Sequence, residues 1–219
     1  MKTSQKVTFN VLLLLVFIFW TINVILQTSP IKLFDSTMIS EIYHHSAWSL
    51  KFFRGITFLG NTDQTIAIVI IFTIILLWKR YYYAAIFLII NKILVTSTNT
   101  IIKHLVERER PIHHHFVYAG GFSYPSGHSA SAFALYITLF IIAWFVFKNL
   151  KLRVLIGISC LTMTLLIGYS RIFLGVHYPS DIIGGYLLAA TILTFTTLFL
   201  FSQNLLVFKF KHINEQCDK

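Results

Sequence analysis

Six stretches of this chain are apolar for roughly the length needed to cross a bilayer, and that excludes most folds. A spanning helix needs about 20 mostly apolar residues, because hydrocarbon offers no partner to an unpaired backbone N–H or C=O. Residues 9–27, 65–78, 82–102, 129–147, 154–169 and 182–207 read as such segments, the second and fifth being short. Only 12% of the 219 residues are charged and 56% are hydrophobic, against roughly 25% charged in a water-soluble domain. The expected fold is all-α: a polytopic membrane bundle of six transmembrane helices, with residues 1–219 forming one domain.

Lys2 and Lys6 precede the first segment as they would a secretory signal. The run VTFNVLLLLVFIFWTINVIL is too long for one, and no small-x-small cleavage site follows, so it reads as a retained anchor. Cys160 lies in an apolar run and Cys217 in the polar tail, so neither a disulfide framework nor a thiolate metal site is expected.

A net charge of +10 would suit a nucleic-acid binder, but its distribution does not. Lys2, Lys6, Lys79, Arg80, Lys148, Lys151, Arg153, Lys209, Lys211 and Lys219 fall at the two termini or in the second and fourth loops. Six spans place all of these on one side, which the positive-inside rule makes cytoplasmic. Both termini are then inside, no nucleic-acid partner is expected, and residues 28–64, 103–128 and 170–181 face out of the cell. In the first of these, Phe34, Met38 and Ile42 recur at helical spacing, followed by Trp48, Phe52 and Phe53. That pattern fits an interfacial helix between the first two spans, and it equally fits packing beneath a loop.

The outer stretches carry the polar chemistry. Lys103, Arg108, Arg110 and Arg171 bring four cations to one membrane face, against the expected charge bias. Between them lies PSGH, residues 125–128. Pro125 suits a first helical turn, and Ser126 and Gly127 allow close approach to backbone N–H groups at a helix start, which is a ready anion site. Phosphate is the expected ligand; a carboxylate could use the same donors but would not need so many cations. Pro179 reads as the first residue of the last helix, which makes Asp181 its third, able to reach back across the helix start toward His177. An aspartate holding one imidazole nitrogen leaves the other free as nucleophile or base, and His128 could give a proton to a leaving oxygen. The bland alternative makes Asp181 a helix cap and His177 a packing residue.

Lys103 to Arg110-Pro111 (K-x6-RP), Pro125 to His128 (PSGH), and Ser170-Arg171 through His177 to Asp181 (SR-x5-H-x3-D) resemble the three-part signature of the type 2 phosphatidic acid phosphatase (PAP2) superfamily, complete and in order. The resemblance implies a transmembrane bundle that removes phosphate from lipids through a phosphohistidine, with no metal and no cofactor. It makes His177 the nucleophile, Asp181 its orienting partner and His128 the acid for the leaving group. Lys103, Arg110 and Arg171 would hold the phosphoryl oxygens, supported by Ser126 and Gly127; Arg108 and Ser170 receive no separate task.

The resemblance includes enzymes acting on phosphatidylglycerophosphate, undecaprenyl pyrophosphate, diacylglycerol pyrophosphate and phosphatidate, and a compact six-span chain with an outward site is similar to the bacterial members. An outward site favours undecaprenyl pyrophosphate, which is released on that side. A non-catalytic lipid-phosphate binding or transport protein is the rival class; it would not need the His177–Asp181 pair, and no Gly- or Pro-broken helix is evident mid-span. A soluble haloperoxidase, with a similar set of residues, is disfavoured by the six spans. His113, His114 and His115 read as a solvated loop, because neighbouring residues do not share a helix face. Asn91 and Lys92 are expected to line the bundle interior.

Overall fold

The structure is a computed structural model that describes residues 3–42, 46–112 and 114–202. Every element among them is an α-helix: α1 (Thr3–Ile25), α2 (Ser29–Ile42), α3 (Ala47–Phe58), α4 (Thr62–Trp78), α5 (Tyr82–Val106), α6 (Gly127–Val146), α7 (Leu150–Phe173) and α8 (Pro179–Ser202). Five of these, α1, α5, α6, α7 and α8, are long and apolar enough to cross a membrane. α4 covers the second expected segment, 65–78, and is long and apolar enough to cross a membrane only together with α3, across a 50° bend. Gly60 and Asn61 occupy that bend, just before the segment read as the second span.

Phe19, Leu33, Ile74 and Leu155 are among many large apolar side chains that stand exposed on the helices. Such a surface suits lipid, where an exposed leucine costs nothing, and the chain is a multi-pass membrane protein. α6 is the centre of the bundle, packed on α4, α5, α7 and α8, while α1 lies along α8. Phe87 and Leu88 of α5, Leu135 and Ile142 of α6 and Leu193 of α8 share one buried cluster. Asn91 and Lys92 are buried as expected, and Asn91 Oδ1 accepts a hydrogen bond from Thr196 Oγ1 at 2.7 Å.

Close contact between α6 and α8 depends on small residues. A Cβ on Gly184 would sit 2.4 Å from the Tyr124 ring, so α8 can approach the chain leading into α6 only with glycine there.

The face that α2 buries differs from the sequence reading. Ile31, Asp35 and Ile42 are covered, whereas Met38 is exposed. A charged side chain occupies the inward stripe because it has partners there, described below. α3 starts at a reciprocal cap in which Ser46 Oγ accepts from Ser49 N at 3.2 Å and Ser49 Oγ accepts from Ser46 N at 2.9 Å. Its Trp48 is 74% exposed and stacks on Phe52.

Candidate active site

Most of the motif residues lie on helix ends. Lys103 is in the last turn of α5, Gly127 and His128 open α6, Ser170 and Arg171 close α7, and Asp181 is in the first turn of α8. Two chain reversals bring these ends together. Glu107 adopts the left-handed conformation (φ 48°) and stops α5 one turn after Lys103, its N–H bonding Lys103 O at 3.0 Å. Gly175, at φ 76°, turns the short α7–α8 link, which delivers His177 within a few residues of Arg171.

Ser126 is the N-cap of α6, so Pro125 stands one residue before the cap and not in the first turn. The Ser126 hydroxyl accepts from Ser129 N and Ser129 Oγ, at 3.4 and 3.0 Å, and its own N–H bonds Asp181 O at 3.0 Å. Its side chain is committed to the cap, leaving the helix start itself as the anion donor. A Cβ on Gly127 would meet Asn99 Oδ1 at 3.4 Å and the stem of Lys103 at 3.9 Å.

His177 and Asp181 meet as the spacing predicts. His177 Nδ1 lies 3.3 Å from Asp181 Oδ2, and that oxygen also accepts from Tyr178 N at 2.9 Å, the reach across the helix start. Arg110 Nη1 is 3.2 Å from His177 Nε2. A guanidinium can only donate, so Nε2 presents its lone pair and Nδ1 carries the proton toward Asp181. Burial, then the charges of Arg171, Arg110 and Lys103, hold the His177 pKa well below the ordinary 6.5. The site thus contains a neutral imidazole with Nε2 aimed at cations, the state a nucleophile requires.

Three motif cations surround it. Lys103 Nζ donates to Phe122 O at 2.6 Å and Ser123 O at 3.3 Å; Arg110 donates to the carbonyls of Gly120, Gly121 and Val176 at 2.8, 3.0 and 2.7 Å. Arg171 is only 3% exposed, and its Nη1 donates to Thr57 Oγ1 at 2.8 Å. Its Nε is buried and has no hydrogen-bond partner among the described residues. A buried donor left free is costly unless a ligand oxygen uses it. Ser170 Oγ bonds back to Ile167 O at 2.6 Å, an intrahelical contact with no chemical task.

Besides Thr57, three further residues complete the site without having been read from the sequence. Ser123 Oγ donates to Asp181 Oδ2 at 2.5 Å. Asn61, at the α3–α4 break, accepts from His128 Nε2 at 2.8 Å. Asp35 of α2 accepts from Arg108 Nη2 at 2.8 Å, while Arg108 Nη1 donates to Asp181 Oδ1 at 2.6 Å. Arg108 therefore does have a role: burial opposes its charge, but Asp181 and Asp35 more than offset that and raise its pKa. Of the histidine run, His115 Nε2 donates to Pro111 O at 2.8 Å, and His113 lies outside the described residues.

Helix ends that concentrate cations on a carboxylate-held imidazole, in a chain built for lipid, define a membrane-embedded lipid phosphatase. The chain belongs to the PAP2 superfamily, which matches residues 81–205, more than half its length. It is similar to phosphatidylglycerophosphatase B of Bacillus subtilis (strain 168): 29% identity over 143 residues, covering 64% of this chain and 69% of the relative. Over 66 residues, 30% of this chain and 26% of the relative, it is 36% identical to a lipid A 4'-phosphatase of Bacteroides thetaiotaomicron. The crystal structure of a transmembrane PAP2-type phosphatidylglycerolphosphate phosphatase from Bacillus subtilis superposes with a TM-score of 0.76 at 25% identity, over 90% of this chain and 96% of that one. Aquifex aeolicus LpxE shares the fold, with a TM-score of 0.60 at 22% identity, over 74% of this chain and 94% of that one.

Proposed function

We propose that this protein hydrolyses a lipid phosphate monoester or diphosphate through a phosphohistidine on His177, without metal. His177 Nε2 attacks phosphorus, and the bond to the leaving oxygen breaks with its electron pair going to that oxygen. His128 protonates the oxygen as it leaves. Water then attacks the phosphohistidine, His128 takes a proton from it, and inorganic phosphate departs with His177 restored. Asp181 holds the Nδ1 proton and stabilises positive charge on the ring during transfer. Lys103, Arg110 and the free Nε of Arg171 take up charge on the phosphoryl oxygens, with the α6 N-terminus adding its dipole. The observation that carries this reading is the His177 geometry: Nδ1 faces a carboxylate and Nε2 faces a guanidinium.

Phosphatidylglycerophosphate is the first substrate to test, because the Bacillus relative and the similar crystal structure are both named for it. Undecaprenyl pyrophosphate, preferred from the sequence, is supported by the outward-facing reading of the site. That reading, with both termini in the cytoplasm, six spans and an interfacial segment around Trp48, rests on the charge distribution and exposed aromatics. The test is phosphate release from these two lipids, phosphatidate and diacylglycerol pyrophosphate in detergent with excess EDTA. Release from at least one is expected; activity that vanishes with EDTA and returns only with added metal contradicts the phosphohistidine route.

A further inference from the structure

A second, deeper ammonium group shares the cavity of the candidate catalytic residues. Lys92 lies eleven residues before Lys103 on α5, about three turns away on nearly the same face. It is 7% exposed, inside a spanning helix. Its Nζ does not turn toward the far end of the helix. It donates to Thr65 Oγ1 of α4 at 2.7 Å and to Ser131 Oγ of α6. Ser131 is three residues after His128, so Nζ sits about 4.5 Å along α6 from the His128 level. A cavity of about 190 Å³ is lined by Lys92, Asn99, Lys103, Gly127, His128 and Ser131.

The amine thus lines the same cavity as His128, the group proposed to protonate the leaving oxygen. Among the described residues its hydrogen-bond partners are two neutral hydroxyls and no carboxylate. An ammonium has three donors, and two hydroxyls occupy two of them. Burying a cation in a membrane span with only neutral partners is expensive and marks a functional group by default. Leucine or methionine would fill the same volume at no such cost.

We propose that Lys92 forms a subsite for a second phosphate, one carried by the leaving group of the substrate. This rests on the lipid phosphatase reading and makes it more specific: the enzyme selects lipids in which the leaving alcohol or acid is itself phosphorylated. A glycerol spacer places the second phosphate several bonds beyond the scissile one, as the offset from His128 to Lys92 requires. An anhydride-linked diphosphate offers the same charge closer in. Phosphatidate, whose leaving group is uncharged, leaves Lys92 unused.

The experiment compares kcat/KM for phosphatidylglycerophosphate, diacylglycerol pyrophosphate and phosphatidate with matched acyl chains, in wild type, Lys92→Met and Lys92→Arg. Lys92→Met is expected to lower the ratio of phosphatidylglycerophosphate to phosphatidate turnover by roughly tenfold to a hundredfold, mainly through KM. Lys92→Arg should recover part of that ratio. A fall shared by the diphosphate identifies any second phosphate as the ligand; a fall confined to phosphatidylglycerophosphate identifies the glycerol-spaced one. Equal losses on all substrates overturn the proposal and make Lys92 a packing residue. In the wild type alone, propane-1,3-diol bisphosphate should inhibit at least about tenfold more strongly than propyl phosphate. Equal inhibition also overturns it. A wild type active on phosphatidate with an unchanged ratio in Lys92→Met sinks this inference only; a wild type inert on every lipid phosphate sinks the substrate reading with it.

Discussion

Asp35 and Asp181 hold the same guanidinium from two helices: Arg108 donates to Asp35 Oδ2 at 2.8 Å and to Asp181 Oδ1 at 2.6 Å. Asp35 also accepts from Ser180 N and Ser180 Oγ, at 2.8 and 2.7 Å, beside Asp181 on α8. α2 is thereby fastened to the helix turn that aims Asp181 at His177. Removing one member of a buried ion network strands the other charges. Asp35→Ala is therefore expected to cost about 3–5 kcal/mol of stability, measured by unfolding in detergent, and to lower kcat more than it raises KM. Arg108→Lys should not rescue the network, since one ammonium cannot reproduce the fork between two carboxylates. Wild-type stability in Asp35→Ala would mean that the network does not brace the site.

Asn61 orients His128 from the α3–α4 break. Asn61→Ala is expected to slow hydrolysis of a lipid alkyl phosphate by about tenfold, less than the 10²–10⁴-fold range that loss of a general acid costs. An activated aryl phosphate, whose leaving oxygen needs little protonation, should be nearly unaffected. Equal slowing of both substrates would assign Asn61 to phosphate binding.

Much of this site was legible from local spacing. K-x6-RP, PSGH and SR-x5-H-x3-D each fix a few neighbouring residues, and the reach of Asp181 across the α8 start follows from its being the third helical residue. Asp35, Ser123 and Asn61 were not legible because their partners are brought to them by tertiary packing: Asp35 meets Ser180 across 145 positions. One signal was available. Ile31, Asp35 and Ile42 recur on one helical stripe, and an acid on such a stripe announces a buried partner. Gly60-Asn61, a turn signal beside an apolar run, likewise marks the bend between α3 and α4.

The neutral state of His177 has a pH consequence. Burial, Arg171, Arg110 and Lys103 push its pKa down, so protonation should switch off the nucleophile only well below pH 6.5. The acid limb of kcat/KM for an aryl phosphate should fall below the ordinary histidine value. Arg171→Gln and Arg110→Gln should each move that limb upward, since each removes a charge that disfavours the imidazolium. Stability carries the same sign: below about pH 6.5 the unfolded chain binds a proton at His177 that the folded chain resists, so stability falls as pH falls. A limb that moves downward in both variants would contradict the placement of these cations around His177.

Topology is testable at two surface positions. Tyr118 is 94% exposed in the α5–α6 loop and Leu150 is 61% exposed at the start of α7. In a background lacking Cys160 and Cys217, Tyr118→Cys should react with a membrane-impermeant thiol reagent in intact cells, and Leu150→Cys should not. The reverse pattern places the site in the cytoplasm.

The phosphohistidine is the central claim, and its direct measurement is the phosphate trapped on the protein after brief mixing with a labelled lipid phosphate and a denaturing quench. Acid-labile, base-stable label should be found on the wild type at His177. His128→Ala should still form it from an activated aryl phosphate, and His177→Ala should form none. Label that persists in His177→Ala and disappears in His128→Ala would exchange the two roles, and turnover with no trapped label in any active variant would contradict the covalent route.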